Sequence, residues 1–253
     1  MSNTVTNEGA MIDAQGSMVA SLTEQWHEHP QSIDPLAWDA LVAHEPGGTP
    51  FMRHSFLTAL IDSGSACLET GWQPLFLTLH DDAGTLMAAC ATFVKSHSYG
   101  EYVFDWAWAD AHDRAYAQHG ARYFPKLLSA VPFSPVPGPR LLVSPHLSEH
   151  TRQALRQRLL QALSGQAQRQ GWSSAHVLFV SEAEAQAAQS QGWLQREGVQ
   201  FHWHNRQVEP YVDFEEFLGS LHRDKRKKIK QERRKVQEAG VSFEVLEGAQ
   251  ITS

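Results

Sequence analysis

The sequence predicts a mixed α/β fold in which a largely antiparallel sheet is flanked by helices. Two apolar runs, residues 73–80 and 85–96, flank the turn sequence Asp-Asp-Ala-Gly, which is typical of an antiparallel hairpin. Helical and extended patterns alternate along the rest of the chain, and the clearest helix, residues 148–171, carries its leucines and alanines on one face. Early antiparallel strands followed by this alternation favour a mixed sheet over a doubly wound parallel one.

The segments before the hairpin predict one strand and two helices. Residues 18–26 alternate well enough for a strand. Asp34 and Pro35 are residue types that begin helices, and an apolar stripe predicts a second helix over residues 51–61.

The segments after the hairpin follow the same rules of alternation, helical spacing and turn residues. The four prolines within residues 132–139 exclude a central strand and predict a stiff extended loop. The predicted strands are EYVFDW (101–106), 140–143, 174–181, 196–205 and 241–248, and the predicted helices are 109–119, 182–191 and 220–239. An N-acetyltransferase-like (GNAT-like) layout matches this order best.

Three segments of different character divide the chain. Residues 1–16 lack a basic start and an apolar centre, so they predict a disordered tail rather than a signal peptide. Residues 17–205 predict a first GNAT-like domain, and residues 206–253 the start of a second half with a basic helix and one strand. Since the chain stops directly after that lone strand, we expect a C-terminally truncated sequence.

Composition places the protein among ordinary globular chains. It is 42% hydrophobic and 19% charged, and no run approaches the length of a membrane span. Cys67 and Cys90 make no disulfide framework, and Cys90 lies within an apolar run, so we expect a reducing, cytoplasmic setting.

Positive charge is concentrated in one helix. Residues 222–239 hold nine basic and three acidic residues in a chain whose net charge is −7, so the rest of the chain is acidic. Arg223, Arg226 and Lys227 fall on one helical face and could hold a phosphate group, although basic clusters are often only solvated faces.

The stretch KSHSYGEYVFDWAWADAHDRAY, residues 95–116, is the candidate active-site wall. Strand spacing places Tyr102, Phe104 and Trp106 on one face and Glu101 and Asp105 on the other. In one interpretation the aromatic face packs inward and the carboxylates meet solvent. In the other, Asp105 ends a strand at the rim of the sheet as a general base, its pKa raised by the neighbouring tryptophans.

Familiar cofactor and metal motifs do not occur in the sequence. It has no G-x-S-x-G elbow, Walker loop or G-x-G-x-x-G, and it lacks the loop that holds the pyrophosphate of acetyl-CoA. Two H-x-H pairs, His27 with His29 and His202 with His204, are weak evidence for zinc and are better explained as exposed polar faces. We therefore expect no cofactor and no metal.

Three motifs resemble the FemAB-like proteins, an acetyltransferase-fold family connected with peptidoglycan biosynthesis or recognition. They are KSHSYGEYVFDWAWADA, VPFSPVPGPRLL and the run from FHWHN to RDKRKKIKQERRKVQEAGV, and the resemblance spans about Trp38 to Glu247. It implies transfer of an acyl or aminoacyl group to an amine of a muropeptide-like cell-wall precursor. It also implies charged tRNA as the donor in place of CoA.

The same resemblance places a substrate groove along residues 100–105. Asp105 is then the catalytic base or orienting carboxylate. The predicted substrate-binding residues are Tyr99, Glu101, Trp106, Trp108, Arg140, Arg223, Arg226 and Lys227.

Two other interpretations remain open from the sequence. The basic helix, residues 222–235, could make the chain a non-catalytic module that binds RNA or an anionic envelope component, with affinity that falls steeply with salt. Alternatively, an open strand edge at residues 241–247 could pair with a second copy of the chain and give a homo-oligomer.

Overall fold

The computed structural model describes residues 3–5, 11–12, 18–19, 21–45 and 47–250. Of the first three ranges and of Ala117 and Ala249 it describes the backbone alone. The chain divides into two units, residues 1–196 and 197–253, whereas the sequence placed a domain boundary between residues 205 and 206. Most of the predicted tail, residues 1–16, lies outside the described residues, as do residues 251–253.

Most of the elements predicted for the first unit are present, although residues 101–106 form no strand and the strand at Lys126–Ser129 was not predicted. The strands are β1 (Asn3–Val5), β2 (Met11–Ile12), β3 (Met18–Val19), β4 (Thr23–His27), β5 (Trp72–Pro74), β6 (Phe76–His80), β7 (Leu86–Cys90), β8 (Phe93–Lys95), β9 (Lys126–Ser129), β10 (Leu142–Val143) and β11 (Ala175–Val177). The helices are α1 (Pro35–His44), α2 (His54–Asp62), α3 (Trp106–Tyr116), α4 (Glu149–Arg169), α5 (Glu182–Ser190), α6 (Phe214–Gly219) and α7 (Arg223–Glu238).

The strands form two main sheets, and both are largely antiparallel. One has the order β1-β4-β6-β7-β10 and the other the order β11-β9-β8-β5, in which β11 and β9 are the parallel pair. The predicted hairpin is β6–β7, with Leu79 opposite Ala88. The mixed α/β class with a largely antiparallel sheet is therefore confirmed.

Two hydrophobic cores lie on opposite faces of the central strands. Along β6, Phe76 packs into a core with Trp38 and Met52, whereas Leu77 packs into a second core with Leu159 of α4. Because both faces are covered, four successive residues of β6 are buried rather than every second one.

Helix ends form as the sequence predicts where a capping residue is present. The Asp34 side chain accepts a hydrogen bond from Leu36 N at the start of α1, and Ser148 caps α4. Ser181 and Glu184 form a reciprocal capping box at the start of α5. No helix among the described residues is long and apolar enough to cross a membrane.

The second unit consists of α6, α7, a 3₁₀ turn at Gly248–Gln250 and segments without regular secondary structure. The predicted strands 196–205 and 241–248 contain no assigned strand, so both predictions are wrong for the described chain. Their apolar residues, among them Phe201 and Phe243, are exposed. A single extended segment has no ladder of hydrogen bonds until a second strand pairs with it, so alternation alone did not produce a strand.

Candidate active site

The site is built on the antiparallel pair β8–β9. Lys95, the last residue of β8, lies directly opposite Lys126, the first residue of β9. Both side chains are fully buried, although lysine is among the residues least often found inside proteins. Two buried amines in adjacent positions require nearby acceptors or a loss of charge.

The loop after β8 supplies those acceptors, and it differs from the predicted strand. Tyr102 and Phe104 have left-handed backbone conformations, with φ of 60° and 50°, which do not occur within a β-ladder. The carbonyl of Asp105 accepts hydrogen bonds from Trp108 N and Ala109 N, so this residue precedes the first turn of α3. The prediction of a strand over 101–106 is therefore wrong.

The loop also reverses the simpler interpretation of its alternating pattern. Glu101 and Asp105 are only 2% and 4% exposed, whereas Tyr102 and Phe104 are 50% and 76% exposed. The carboxylates turn inward because Lys126 is buried there and would otherwise lack a counter-charge. The aromatic side chains consequently lie on the outer side of the loop.

Lys126 connects three residues of this loop. Its Nζ donates to Glu101 Oε2 at 2.9 Å, to Asp105 Oδ2 at 2.8 Å and to Ser98 Oγ at 3.2 Å, which uses all three hydrogens of an ammonium group. The hydroxyl of Tyr123 also donates to Asp105 Oδ2, at 2.8 Å. Glu101 Oε1 and Asp105 Oδ1 are buried and have no hydrogen-bond partner within the described residues.

The two carboxylates respond differently to burial. Burial works to raise the pKa of Asp105, but hydrogen bonds from Lys126, Ser98 and Tyr123 and the charge of Lys126 outweigh it and hold this pKa at about 2. The expected raised pKa of Asp105 is therefore wrong, since an ion pair, not the tryptophans, dominates its surroundings. Burial raises the pKa of Glu101, and the charge of Lys126 offsets only part of that effect.

Lys95 has no carboxylate within ion-pair distance among the described residues. Its Nζ lies 3.6 Å from the centre of the Trp72 ring and 3.4 Å from the carbonyl oxygen of Tyr99, which also accepts from Trp72 Nε1. Burial lowers the pKa of Lys95 to about 7; the charge of Glu101 opposes this shift and that of Lys126 adds to it.

A cavity of about 250 Å³ lies on the outer side of the loop. Ser98 is its link to the charged cluster, because this residue lines the cavity and its hydroxyl contacts Lys126. The lining residues are Ser98, Tyr99, Gly100, Tyr102, Phe104, Trp106 and Phe133.

The structure brings together four of the predicted site residues. Tyr99 and Trp106 line the cavity, and Glu101 and Asp105 belong to the cluster around Lys126. Trp108 is exposed on α3, where the guanidinium carbon of Arg196 lies 6.0 Å from its ring centre.

Of the predicted arginine and lysine ligands, one supports a loop of the first unit and three belong to the second unit. Arg140 is fully buried, and its guanidinium donates to the carbonyl oxygens of Val136, Gly138 and Pro139, so it braces the proline-rich loop. Arg223, Arg226 and Lys227 belong to α7 of the second unit.

Sequence reasoning missed the basic half of the cluster. Lys95, Lys126, Ser98, Tyr123 and Phe133 were not predicted as site residues. One signal was available: Lys95 and Lys126 are the only two lysines in the first 196 residues, a segment whose other cationic side chains are arginines and histidines.

The H-x-H pairs give no metal site in the described part of the chain. His27, expected to be exposed, is buried, and its ring nitrogens lie 2.8 Å from Ser32 Oγ and 2.8 Å from Thr78 Oγ1. The rings of His202 and His204 stack with centres 6.2 Å apart. Within the described residues no group of three or more potential ligands is arranged to hold a metal ion.

Comparison with known proteins identifies a family relationship. The family model FemAB_like, described as peptidoglycan biosynthesis/recognition, matches residues 29–253. No curated protein matches the sequence. A solved structure with some likeness is the aminoglycoside antibiotic 6'-N-acetyltransferase AAC(6')-Ih from Acinetobacter baumannii, at 13% identity and a TM-score of 0.37, covering 74% of this chain and 99% of that one. This TM-score is too low for the likeness to support an argument about the fold.

Proposed function

Because the chain belongs to the FemAB-like family, we propose that it is an acyl- or aminoacyl-transferase acting on an amine of a muropeptide-like cell-wall precursor. The observation that carries the proposal is the position of Ser98. This residue joins an aromatic cavity of about 250 Å³ to a buried Lys126–Asp105–Glu101 cluster. A concave apolar site with a few convergent polar groups is the usual form of a substrate site.

The reaction needs positioning more than a protein nucleophile. The amine attacks the carbonyl carbon of an activated ester, the C–N bond forms, the C–O bond to the leaving group breaks, and the amine proton passes to the leaving oxygen. Placing amine and ester in contact supplies much of the rate enhancement in reactions of this kind. The donor in the proposal is an activated acyl ester such as charged tRNA, not CoA.

Ser98 is the residue that would stabilise the developing negative charge. Its oxygen accepts a hydrogen bond from the ammonium of Lys126, and its hydroxyl also interacts with Asp105, so its proton turns from Asp105 to the substrate when the cavity is occupied. A hydroxyl polarised by an ammonium group is a stronger donor, as an oxyanion site requires.

Asp105 has an orienting role in this proposal. A carboxylate with a pKa of about 2 and an ion pair to Lys126 at 2.8 Å is a poor general base at neutral pH. It instead fixes the ammonium of Lys126 beneath Ser98.

The test is a transfer assay read by mass spectrometry, with charged tRNA as donor and a nucleotide-linked muropeptide as acceptor. We expect Asp105→Asn and Ser98→Ala each to lower kcat about 10²-fold or more, as the loss of an oxyanion donor does elsewhere. Asp110→Asn, which changes an exposed carboxylate on α3, is the matched control and should retain the wild-type rate. Full activity of both Asp105→Asn and Ser98→Ala would refute the proposed site.

A second candidate function rests on the basic helix. Arg223, Arg226 and Lys227 lie on one face of α7, and among the described residues none of them forms an ion pair with a carboxylate. Uncompensated cations in this arrangement could bind the phosphates of RNA. A salt-dependent affinity for RNA without transfer activity would favour this function.

A further inference from the structure

The lining of the cavity has an unusual composition. Five of its seven residues are aromatic, and none of the seven carries a charge. The rings are partly exposed, so a ligand in the cavity would contact ring faces while one side of it stayed in water. The ring-bearing residues are Tyr99, Tyr102, Phe104, Trp106 and Phe133.

Two of the lining rings, those of Tyr99 and Trp106, are tilted against each other rather than stacked flat. The centres of the Tyr99 and Trp106 rings are 4.9 Å apart with an interplanar angle of 57°. Phe133 packs against Trp72 at 5.5 Å and closes over Gly100, where an added Cβ would lie 2.5 Å from the Phe133 ring. Gly100 has φ +80°, so a glycine is required here both for space and for backbone conformation.

An amine lies against Trp72, a ring behind the cavity wall that does not itself line the cavity. Lys95 Nζ lies 3.6 Å from the ring centre of Trp72, which in turn packs on Phe133 of the cavity wall. The ring faces of tryptophan, tyrosine and phenylalanine carry partial negative charge and attract cations within about 6 Å.

The charge of Lys126 behind the loop does not exclude a cation from the cavity, because two carboxylates compensate it. Lys126 is compensated by Asp105 and Glu101, each of which has a second buried oxygen without a partner in the described structure. An anionic group, in contrast, would find no cationic side chain among the seven lining residues.

We propose that the cavity is an aromatic cage that binds the acceptor through an alkylammonium group in its charged form. The inference rests on the proposed function, in which the acceptor is an amine, and adds how that amine is recognised. Several aromatic rings around a small space are the arrangement that binds ammonium ligands by cation–π attraction. The cage would hold the ammonium until it gives a proton to water on the open side of the cavity, and the neutral amine then attacks the donor.

The test compares two probes of equal shape, choline and its uncharged isostere 3,3-dimethylbutan-1-ol, by titration followed by tryptophan fluorescence and calorimetry. We expect choline to bind about two- to five-fold more tightly, the ratio that a cation–π advantage at a partly exposed site gives. Equal affinity of the two probes, or no binding of either, would overturn the cage.

Variants locate the site and separate charge recognition from simple apolar binding. Trp106→Leu should abolish the preference for choline, and Trp106→Phe, which keeps a ring, should retain most of it. Trp108→Leu removes an exposed tryptophan that does not line the cavity and should leave the preference unchanged. Preference lost in Trp108→Leu but kept in Trp106→Leu would contradict the assignment.

Binding and transfer give independent outcomes. A protein that transfers acyl groups but binds both probes equally would retain the proposed function and lose the cage. A protein that prefers choline through Trp106 but shows no transfer would retain the cage and lose the proposed function.

Discussion

Lys95 and Lys126, the only lysines of the first 196 residues, lie directly opposite each other across β8 and β9 with both side chains fully buried. Like charges in opposed positions destabilise a strand pair. The protein resolves this in two ways: Lys126 forms ion pairs with Glu101 and Asp105, and Lys95 has a pKa lowered to about 7.

The lowered pKa of Lys95 predicts that stability rises with pH above neutrality. Between about pH 7 and the ordinary lysine value of 10.5, the unfolded chain binds a proton at Lys95 that the folded chain does not. The free energy of unfolding therefore increases with pH, by at most about 1.4 kcal/mol per unit. Urea unfolding at pH 7.5, 8.5 and 9.5 measures this slope.

Lys95→Met removes the titrating group and should flatten the slope over the same range. Arg122→Met changes an exposed cation and should keep the wild-type slope. If wild type and Lys95→Met show parallel pH profiles, the lowered pKa is wrong.

Removing Lys126 should be strongly destabilising. Lys126→Met leaves Glu101 and Asp105 as two buried carboxylates without their counter-ion, which costs about 3 to 5 kcal/mol in comparable sites. The measurement is the free energy of unfolding in urea, with Arg122→Met as a control expected within about 0.5 kcal/mol of wild type.

A triple variant identifies the cause of that loss. Adding Glu101→Gln and Asp105→Asn to Lys126→Met replaces the two unpaired carboxylates with neutral amides and should recover part of the stability. A triple variant less stable than Lys126→Met alone would show that packing of the lysine stem, not charge, is decisive.

The fold of the first unit was largely predictable because local signals there agree with the tertiary structure. Asp34 and Pro35 mark the start of α1, and Ser148 marks the start of α4. The Asp-Asp-Ala-Gly turn joins the two strands of the hairpin. Each of these signals acts within a few residues, so tertiary context did not need to be known.

The candidate site was only half predictable because it depends on contacts distant in sequence. The alternation of residues 101–106 looks like a strand, yet Lys126 draws Glu101 and Asp105 inward from more than twenty residues away. Strand spacing could pair these carboxylates on one face, but it could not show which face is buried. The second unit failed for a related reason, since an extended pattern predicts a strand only where another strand pairs with it.

Glu184 should be a key residue for the loop that carries Arg140. One carboxylate oxygen accepts the backbone N–H groups of Arg140 and Leu141, and the other accepts from Ser181 N at 2.7 Å and from its hydroxyl at 2.9 Å. Glu184→Ala leaves buried donors without a partner, at a cost of about 1 to 3 kcal/mol each.

The measurement is thermal and urea unfolding of Glu184→Ala beside Glu182→Ala. Glu182 is an exposed residue two positions earlier, at the start of α5, so its replacement controls for helix propensity. Equal stability of the two variants would mean that water replaces the lost carboxylate.

The basic helix gives a prediction that separates the two candidate functions. If Arg223, Arg226 and Lys227 bind RNA phosphates, affinity for a short single-stranded RNA should fall linearly with salt on logarithmic axes, with a slope of about −0.7 per phosphate contacted. Replacing the three residues by serine should reduce that slope by about two, whereas replacing Lys228 and Arg234, which form ion pairs within the helix, should change it less.

Transfer activity that survives the triple replacement would place catalysis in the first unit alone. Transfer lost together with RNA affinity would instead assign the basic helix to holding a charged-tRNA donor.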